Sequence, residues 1–458
     1  MRRPNVVLMH TDQQRWDTIG KVSPWAVTPN LDRLADEGVL FENAFCNSPV
    51  CMPSRQSMLS GRYPSVVGCA TNGIEMPPDI ECIHNILDLY GYHTANLGKL
   101  HFKNHSNRDH REPHPSYGFD ELVLSDEPGC YDDAYIKWVE ARDPAQVENC
   151  RCSTPPAWEG PPVDKQPRGT HEPYLFEGPE ELTHTAFVAD QTIETIRRRA
   201  GRGPFFAIAG FYAPHCPVNP PERFVDMIDP GALPLPAMND HERDRRGLSD
   251  DEWRKVRVYY HALVSHVDDQ VGRILRALDE TGERENTVVV FTSDHGDHLG
   301  DHGLTAKGPP GYDSCSHVPM IVAGPGVKGG QRRRELVELV DLAPTLLDRC
   351  AIQSPPFFQG RSFAPLLDGD NYDERRSAFI EFKYPFESSW KAVRTHNFKY
   401  CTSAAGEELL FDLRSDPNEL TNLADRPDAQ PALHAMREEL LRRWFDVEDQ
   451  YPLPTGSY

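Results

Sequence analysis

Apolar runs and amphipathic stretches alternate along most of the chain. Short runs of apolar and β-branched residues predict buried strands at 5–9, 92–97, 204–212, 286–292 and 318–322. The stretches between them have the period and the end signals of helices, at 28–38, 80–90, 183–199, 249–281 and 335–350. Because strands alternate with helices, we predict an α/β fold with a doubly wound, mostly parallel sheet flanked by helices.

The pattern changes twice along the chain. From residue 103 to about 179 periodicity fails and His, Pro, Asp and Gly dominate, so we expect an ordered irregular insertion that walls a pocket. After about residue 374, short alternating runs and one helix over 429–444 predict a smaller antiparallel sheet with a helix. We therefore predict a main α/β domain over 1–374 and a C-terminal α+β subdomain with a tail over 375–458.

The charge balance limits the classes of partner. The 458 residues include 70 acidic and 48 basic side chains, which gives a net charge of −22. Such a chain is unsuited to nucleic acid and to anionic membrane surfaces, and we predict neither as a partner. The charge also argues mildly against a long polyanionic substrate, whereas a small anion can still enter a local cationic pocket.

The N-terminus does not resemble a signal peptide, because His10 and Asp12 interrupt its apolar run. No apolar stretch is long enough to span a bilayer. The eleven cysteines are odd in number and lack the dense spacing of a disulfide scaffold. We predict a cytoplasmic location, which a removed leader would overturn. The proline-rich residues 451–458 form either a free tail or an arm onto a neighbouring subunit, so a homo-oligomer stays open.

Residues 51–62 read CMPSRQSMLSGR and predict a strand-to-helix corner with Cys51 at the helix N-terminus, where N–H groups and the dipole favour negative charge. Cys51 alone is more typical of a buried, inert thiol. The whole stretch, however, resembles the sulfatase signature C-x-P-S-R-x-x-x-L-[ST]-G-R at every fixed position. This resemblance implies that a formylglycine-generating enzyme converts Cys51 to formylglycine, whose hydrated aldehyde is the nucleophile, with Arg55 beside it.

Two polar strand ends carry candidate metal ligands. Asp12 with Gln13 and Asp294 with His295 each follow a buried strand, and a parallel sheet can bring them together at one edge. Each aspartate alone is about equally typical of a helix N-cap. Their oxygens suit a hard divalent cation, and the histidine nitrogen also suits Mn²⁺. The resemblance implies a metal, usually Ca²⁺, held by these four residues and residue 51. Gln13 stands where many members have a second Asp, which leaves Mn²⁺ and Mg²⁺ open.

Residues 91–101 read GYHTANLGKLH and resemble the second sulfatase signature, G-Y-x-T-x-x-x-G-K-x-H. In an extended segment Lys99 and His101 would point to one face. Outside that resemblance, a Gly-Lys-x-His segment is more typical of a strand-end turn with solvated charges. The family pattern implies that the lysine neutralises the incoming sulfate and that the imidazole bonds the geminal diol.

Three further residues complete the candidate site. His215, in FYAPHCP, matches the family histidine that faces the leaving-group oxygen, and imidazole is well suited to donate a proton near neutral pH. Lys307, in TAKG, matches the family lysine that contacts the sulfate, although Asp313 stands downstream where Glu is common. Asn72 either reaches the pocket and binds substrate or forms an Asn-Gly turn.

The resemblance runs from residue 4 to about 423 and implies the alkaline-phosphatase-like sulfatase fold. It implies a sulfuric ester hydrolase that cleaves a small organic sulfate monoester, whether aryl, alkyl or sugar sulfate, to alcohol and sulfate. Under this hypothesis His215 protonates the departing alcohol, and His101 is the base for the later release of sulfate.

Other activities stay open from the residues alone. Phosphonate monoester and phosphodiester hydrolases of the same superfamily also use formylglycine, and Gln13 and His295 resemble their metal pairs. Lys99 and His101 favour a sulfatase, and we give them more weight because they would touch the transferred group. A doubly charged phosphate monoester is a weaker third choice. If Cys51 is never converted, the pocket would bind a sulfated ligand without turnover.

Overall fold

The computed structural model describes residues 3–104, 110, 112–151, 172–245, 247–383 and 388–448. The predicted tail at 451–458 lies outside these residues, as does part of the predicted insertion at 103–179. No helix within the described ranges is both long and apolar enough to cross a bilayer.

The strands of the described chain form one large and one small sheet. The large sheet contains β1 (Asn5–Asp12), β2 (Val39–Phe45), β3 (His93–Gly98), β4 (Glu121–Leu124), β5 (Phe205–Pro214), β6 (Thr287–Ser293), β7 (His317–Ala323), β8 (Gln331–Arg333) and β9 (Val337–Glu338). The small sheet contains β10 (Ala378–Phe382), β11 (Trp390–Arg394), β12 (Phe398–Ser403) and β13 (Glu408–Asp412).

The α-helices occupy the stretches between these strands and the C-terminal end of the described chain. They are α1 (Pro29–Glu37), α2 (Cys51–Ser60), α3 (Pro64–Val67), α4 (Ile83–Leu89), α5 (Ala134–Arg142), α6 (Val147–Cys150), α7 (His184–Arg199), α8 (Glu222–Val225), α9 (Asp240–Arg245), α10 (Asp250–Glu280), α11 (Asp313–Ser316), α12 (Leu342–Arg349), α13 (Ala364–Asp368) and α14 (Gln430–Val447).

The large sheet has the order β4-β3-β5-β1-β6-β7-β2-β8, with β9 paired to β2. Strand β1 pairs in parallel with β5 and β6, and β7 is the one strand of this path that runs antiparallel to its neighbours. The small sheet is antiparallel throughout. The predicted α/β fold, a mostly parallel sheet with a smaller C-terminal antiparallel sheet, is therefore confirmed.

Helices cover both faces of the large sheet. Val7 and Met9 of β1 belong to a core shared with α1, α7 and α10, whereas Val6 and Leu8 belong to a core shared with α2, α4 and α12. All four side chains are 0 % exposed. A strand that is buried on both faces reads as a continuous apolar run, which is why the sequence revealed β1 so clearly.

The longest helix shows how local signals fix an element. Ser249 accepts a hydrogen bond from the backbone of Glu252, and the Glu252 carboxylate accepts one from the backbone of Ser249. This reciprocal capping satisfies two N–H groups that the first turn leaves without helical partners. The predicted start of α10 is thus confirmed.

Two predictions are wrong in part. The stretch 103–179, expected to be irregular, contains β4, which extends the large sheet beside β3, and the helix α5. The stretch 335–350, predicted as one helix, begins with the strand β9, and its helix starts only at Leu342. Strands of two and four residues are too short to show a period, and their conformation is fixed by pairing with neighbouring strands.

A network of buried charges joins the small sheet and α14 to the rest of the protein. Glu338, at the end of β9, accepts hydrogen bonds from Tyr63 at 2.5 Å and Arg443 at 2.8 Å. It also pairs with Arg375 at 2.6 Å, and Arg375 reaches Asp341. We name these five residues the junction cluster. The predicted domain boundary at 374/375 falls beside Arg375 and stays a prediction.

Candidate active site

Strand ends from the centre of the large sheet meet the start of α2. Strand β1 ends at Asp12 and β6 leads into Asp294, and the parallel register pairs Thr11 with Ser293. The hydroxyl of Ser54, in the first turn of α2, donates to the backbone oxygen of Asp294 at 2.5 Å. This bond holds the first turn of α2 against the two strand ends.

Cys51 is the first residue of α2 and is 1 % exposed. Its Sγ lies 2.7 Å from Nζ of Lys307, 3.3 Å from Nε2 of His295 and 3.6 Å from Oδ1 of Asp12. Gly61 ends the helix with a φ of 62°, a conformation that glycine adopts without strain. Residue 51 thus lies at the N-terminus of α2, as predicted, and faces the ends of strands β1 and β6.

Arg55 bridges the two aspartates. It lies one helical turn after Cys51, so both side chains are on the same side of α2. Its Nε donates to Oδ2 of Asp294 at 2.6 Å, and its Nη2 donates to Oδ2 of Asp12 at 3.0 Å. Two carboxylates buried this close repel each other, and the shared guanidinium offsets that repulsion. Burial by itself lowers the pKa of Arg55, but Asp294 and Asp12 outweigh it and raise that pKa.

The donor set fits a divalent cation. Ligand atoms of Asp12, Cys51, Asp294 and His295 all lie within 4.8 Å of one another, and all four residues are buried. Nδ1 of His295 lies 2.8 Å from the Gly296 carbonyl, which can only accept, so Nδ1 carries the proton and Nε2 keeps its lone pair. Burial lowers the pKa of His295 to about 4, which keeps the ring neutral.

Gln13 adds an unoccupied acceptor beside this set. Its backbone donates to Asp294 at 3.0 Å, and its Nε2 donates to Asp297 at 2.6 Å. Its Oε1 is buried and has no hydrogen-bond partner. A buried carbonyl oxygen without a partner is costly unless it binds something, and amide oxygens are good ligands for hard cations. The predicted ligand set of Asp12, Gln13, Asp294 and His295 is therefore brought together.

Lys99 lies at the inner side of this group and is 0 % exposed. Its Nζ is 2.9 Å from Oδ2 of Asp12 and 3.1 Å from Oε1 of Glu127, and 4.6 Å from the centroid of the Tyr212 ring. Burial by itself lowers the pKa of Lys99, but the two carboxylates outweigh it and hold that pKa above its ordinary value. A Cβ at Gly210 would lie 2.1 Å from the Lys99 carbonyl oxygen, so only glycine permits this approach.

His101 is buried two residues further along. The extended geometry predicted for this segment is wrong, because β3 ends at Gly98 and His101 has a φ of 57°. Both Leu100 and His101 donate their backbone N–H groups to Oδ1 of Asp126, at 2.9 and 2.7 Å, which stabilises the turn. Burial, reinforced by the charge of Lys99, holds the pKa of His101 well below its ordinary value. Its Nδ1 is buried without a partner.

His215 follows β5 and is half-buried. Its Nδ1 lies 2.8 Å from the carbonyl oxygen of Cys216, so this nitrogen carries a proton in either charge state. Protonation of the ring then adds a proton at Nε2. His215 is close enough to Asp12 for its charge to lower the pKa of that carboxyl, which places the ring beside the buried group.

Lys307 and Asn72 differ in how they contact the start of α2. Lys307 contacts Cys51 directly and lies 3.8 Å from Oδ1 of Asp12. Asn72 is exposed, and its Oδ1 accepts the backbone N–H of Met52 at 2.9 Å, which satisfies a free donor in the first turn of α2. The structure thus brings the predicted site residues together, with Asn72 held at the first turn of α2 beside Cys51, and the substrate contact of Asn72 stays a prediction.

The charges within this site compensate one another. We name six buried residues and the partly exposed Lys307 the nucleophile cluster: Asp12, Cys51, Arg55, Lys99, Asp294, His295 and Lys307. Burial by itself raises the pKa of Asp12, but the cations Lys99 and Lys307 outweigh it and hold that pKa well below its ordinary range. The cluster combines ionised carboxylates, fixed cations and a helix N-terminus around one atom, which suits the transfer of an anionic group.

The sequence analysis did not identify the acidic residues that contact Lys99, its turn and Gln13. Asp126 and Glu127 follow β4 and contact the Lys99 segment, and Asp297 holds the Gln13 amide. A signal was present, because Ser125, Asp126 and Glu127 are polar residues directly after an apolar run. A run of four residues is too short to predict a strand by its period, so its polar end does not stand out as part of the site.

Two family models match the chain. The model described as Sulfatase matches residues 4–352, and the model described as N-sulphoglucosamine sulphohydrolase, C-terminal, matches residues 300–445. The first covers more than half of the chain and includes every predicted site residue.

Known proteins resemble the chain over nearly its whole length. It is 32 % identical to an arylsulfatase of Clostridium perfringens, over 98 % of this chain and 96 % of that protein. It is 28 % identical to a choline-sulfatase of Rhizobium meliloti, over 97 % of this chain and 88 % of the relative. The crystal structure of the phosphonate monoester hydrolase of Agrobacterium radiobacter matches with a TM-score of 0.86 and 26 % identity, over 98 % of this chain and 97 % of that one.

Proposed function

The chain belongs to the sulfatase family and is a sulfatase enzyme, and from that premise we propose that it cleaves a small organic sulfate monoester with a formylglycine made from Cys51. The observation that carries this proposal is the position of Cys51. It begins a helix, it is buried, and it lies within contact distance of Lys307 and of the predicted metal ligands His295 and Asp12.

The implied groups have a fitting place here. Asp12, Gln13, Asp294 and His295, together with residue 51, would hold a divalent cation, with Ca²⁺ as our first choice and Mn²⁺ or Mg²⁺ as alternatives. When bound, such a cation acidifies a nucleophilic hydroxyl and neutralises charge on the transferred group. The hydrated aldehyde of formylglycine supplies that hydroxyl, which the thiol of Cys51 does not.

The cationic side chains bind and orient the ester. The oxygens of a sulfate ester repel an incoming nucleophile, so the site needs fixed positive charge around the sulfur. Lys307, in contact with Cys51, is best placed to hold a sulfate oxygen. Lys99 and Arg55 act from deeper positions, where they also keep Asp12 ionised.

Two histidines move protons in this mechanism. With Nδ1 held by the Cys216 carbonyl, His215 in its charged form can deliver the Nε2 proton to the departing alcohol oxygen. His101 is neutral because of its burial, so it can accept a proton at the later step that releases sulfate. His215 is partly exposed, which suits a group that protonates the departing alcohol. His101 is buried, which suits a group that acts on residue 51 after the alcohol has left.

A second candidate is hydrolysis of phosphonate monoesters or phosphodiesters. It is favoured by Gln13 and His295 among the metal ligands, and by the similarity to the phosphonate monoester hydrolase of Agrobacterium radiobacter. Lys99 and His101 favour the sulfatase activity, and they weigh more because they would lie beside the transferred group. Binding of a sulfated ligand without turnover is the remaining alternative, if Cys51 stays unmodified.

Partners and location follow as further proposals. Conversion of Cys51 requires a formylglycine-generating enzyme as a transient partner. A small anionic ester is the substrate that fits a chain of net charge −22 with one local group of cations. The cytoplasmic location, the homo-oligomer and the substrate contact of Asn72 stay predictions.

Mass spectrometry tests the nucleophile first. The peptide that contains residue 51, taken from protein made in its native host, should carry an aldehyde in place of the thiol. Detection of unmodified cysteine alone would overturn the formylglycine proposal and favour the binding alternative.

A kinetic comparison then tests the substrate class. With conversion verified, kcat/KM is measured for one aryl leaving group presented as a sulfate monoester and as a phosphonate monoester. We expect a large preference for the sulfate. A preference for the phosphonate would mean that Gln13 and His295 predict the chemistry better than Lys99 and His101 do.

A further inference from the structure

We infer that Glu127, acting through Lys99, sets the preference of this site for singly charged over doubly charged esters. The inference rests on the proposed function and names the feature that selects its substrate by charge. Glu127 lies in the segment after β4, within the region that the sequence presented as irregular. It is 4 % exposed, and its Oε1 is 3.1 Å from Nζ of Lys99.

The segment after β4 contacts the Lys99 turn at three points. Ser125 donates its backbone N–H to the Gly98 carbonyl at 3.1 Å. The next residue, Asp126, accepts the backbone N–H groups of Leu100 and His101. Glu127 then reaches the Lys99 ammonium itself. The first two contacts hold the backbone of the turn, and the third acts on the charge of Lys99.

Lys99 has few N–H donors left to bind a substrate. An ammonium group has three N–H donors, and carboxylates of Asp12 and Glu127 lie within bonding distance of this one. The Tyr212 ring packs against it as well. One donor at most is left for an ester oxygen, and the lysine charge is shared between two anions.

The count of charges explains the selectivity. Among the described side chains around Cys51 and Lys99, three cations (Arg55, Lys99 and Lys307) face three carboxylates (Asp12, Asp294 and Glu127), so the proposed divalent cation would supply the excess positive charge of the site. A sulfate monoester carries one negative charge, whereas a phosphate monoester carries about −1.5 to −2 at pH 7. The carboxylate of Glu127 therefore opposes the additional charge of a phosphate more than it opposes the sulfate.

Glu127 is a positioning residue, because it contacts Lys99 and not Cys51. Glu127→Gln is the informative change, since the amide oxygen still accepts from Lys99 while the negative charge is removed. Glu121→Gln is the matched control. Glu121 lies at the other end of β4 and pairs with Arg198, so this variant removes the same charge far from the nucleophile.

The test is a ratio of two specificity constants. kcat/KM is measured for one aryl alcohol presented as a sulfate and as a phosphate monoester, at a pH above the second phosphate pKa of about 6. We expect Glu127→Gln to lower the sulfate-to-phosphate ratio on the order of tenfold, the size of one added charge a few ångströms away in a partly screened site. Glu121→Gln should leave the ratio unchanged. An unchanged ratio in Glu127→Gln would overturn the inference.

Binding to an inactive protein separates this inference from the proposed function. The Cys51→Ala variant, with and without Glu127→Gln, is titrated with phenyl sulfate and with phenyl phosphate by calorimetry. Cys51→Ala should bind phenyl sulfate, and the added change should shift the ratio of Kd values toward phenyl phosphate. If Cys51→Ala binds neither compound, the proposed function fails. If it binds phenyl sulfate but the ratio does not move, only the role of Glu127 fails.

If Glu127→Gln does not fold, a second variant with a shorter carboxylate, Glu127→Asp, tests the inference. Glu127→Asp keeps the charge but moves it away from Lys99, so a charge effect predicts a much smaller fall in the sulfate-to-phosphate ratio than the removal of the charge in Glu127→Gln does. A fall in the ratio as large as that expected for Glu127→Gln would show that contact, and not charge, matters, and would overturn the inference.

Discussion

The nucleophile cluster and the junction cluster both bury carboxylates against guanidinium groups. In the junction cluster the carboxylates have many donors. Glu338 accepts from Arg375, Arg443 and Tyr63, and also from the backbone of Phe379. Asp341 accepts from Arg375 and from two backbone N–H groups. Its anions are therefore satisfied by the protein alone.

The nucleophile cluster, in contrast, lies beside an acceptor that has no hydrogen-bond partner among the described residues. This acceptor is the buried Oε1 of Gln13, and Nε2 of His295 presents a lone pair to the thiol. A fold that needed only stability would satisfy such atoms, since each one costs free energy when left bare. Burial of charge therefore does not by itself distinguish a site from a structural network. In the junction cluster the buried atoms without partners are the donors Nε of Arg375 and Nε of Arg443, whereas beside Cys51 the amide oxygen of Gln13, an acceptor, is left for a cation.

The largest effect that separates the two clusters should come from Cys51→Ala. We expect kcat/KM to fall by about 10⁴-fold or more, because the covalent route is lost. The thermal midpoint should move by no more than a few degrees, on the order of a single small packing defect. Steady-state kinetics and calorimetry measure both quantities.

Cys46→Ala is the control, since Cys46 is also a buried thiol and lies outside the nucleophile cluster. It should cost comparable stability and keep activity. If Cys51→Ala and Cys46→Ala lost activity to a similar extent, the assignment of Cys51 as the source of the nucleophile would be wrong.

The junction cluster should respond in the opposite way. Glu338→Gln leaves Arg443 without a buried counter-charge and leaves Arg375 with Asp341 alone. We expect it to lower the free energy of unfolding by about 3–5 kcal/mol. kcat/KM should stay within a small factor at temperatures where the variant is folded. Denaturant unfolding with parallel assays measures this.

Glu42→Gln is the matched change at a more exposed pair, because Glu42 contacts Arg332 and Arg334 at the surface. It should cost less than about 1 kcal/mol. A loss of activity in folded Glu338→Gln would mean that the junction cluster is coupled to catalysis and that the contrast drawn above is wrong.

The effect of changing His215 should depend on the leaving group of the ester, which no residue of the junction cluster should show. We expect His215→Ala to lower kcat by about 10²–10⁴-fold for an alkyl sulfate, whose alcohol needs a proton to depart. The loss should be much smaller for an aryl sulfate with a strongly acidic phenol. A series of esters of graded phenol acidity measures the slope, and an equal loss across the series would exclude His215 as the acid.

The smallest effect concerns pH and stability. Burial by itself raises the pKa of Glu338, but Arg375 and Arg443 outweigh it and lower that pKa from its ordinary 4.5. The unfolded state then binds the proton more readily, so this carboxylate contributes stability above pH 4.5 that is lost as the pH falls through the lower, folded value. Urea unfolding from neutral to acidic pH should show a shallower decline in Glu338→Gln than in wild type. Parallel declines would contradict the lowered pKa.

Much of the fold was predictable because its signals are local. The continuous apolar run of β1 and the Ser249–Glu252 cap of α10 are set by residues near in sequence, and both predictions are confirmed. The motif around Cys51 is similarly contiguous, which is why its helix and the position of Arg55 one turn later could be anticipated. Strands β4 and β9 could not be, because they are short and exist only by pairing with distant strands.

The sequence by itself determined the candidate site residues and the strand ends on which most of them lie. The tertiary structure alone decided which of them meet. It placed Lys307 in contact with Cys51 across 256 positions of sequence, and it placed Asn72 on the backbone of the neighbouring Met52. It also brought Glu127 to Lys99. The physical reason is that a charge is stabilised in the interior only by counter-charges and donors at contact distance, and these come from whichever strand ends the sheet order makes neighbours.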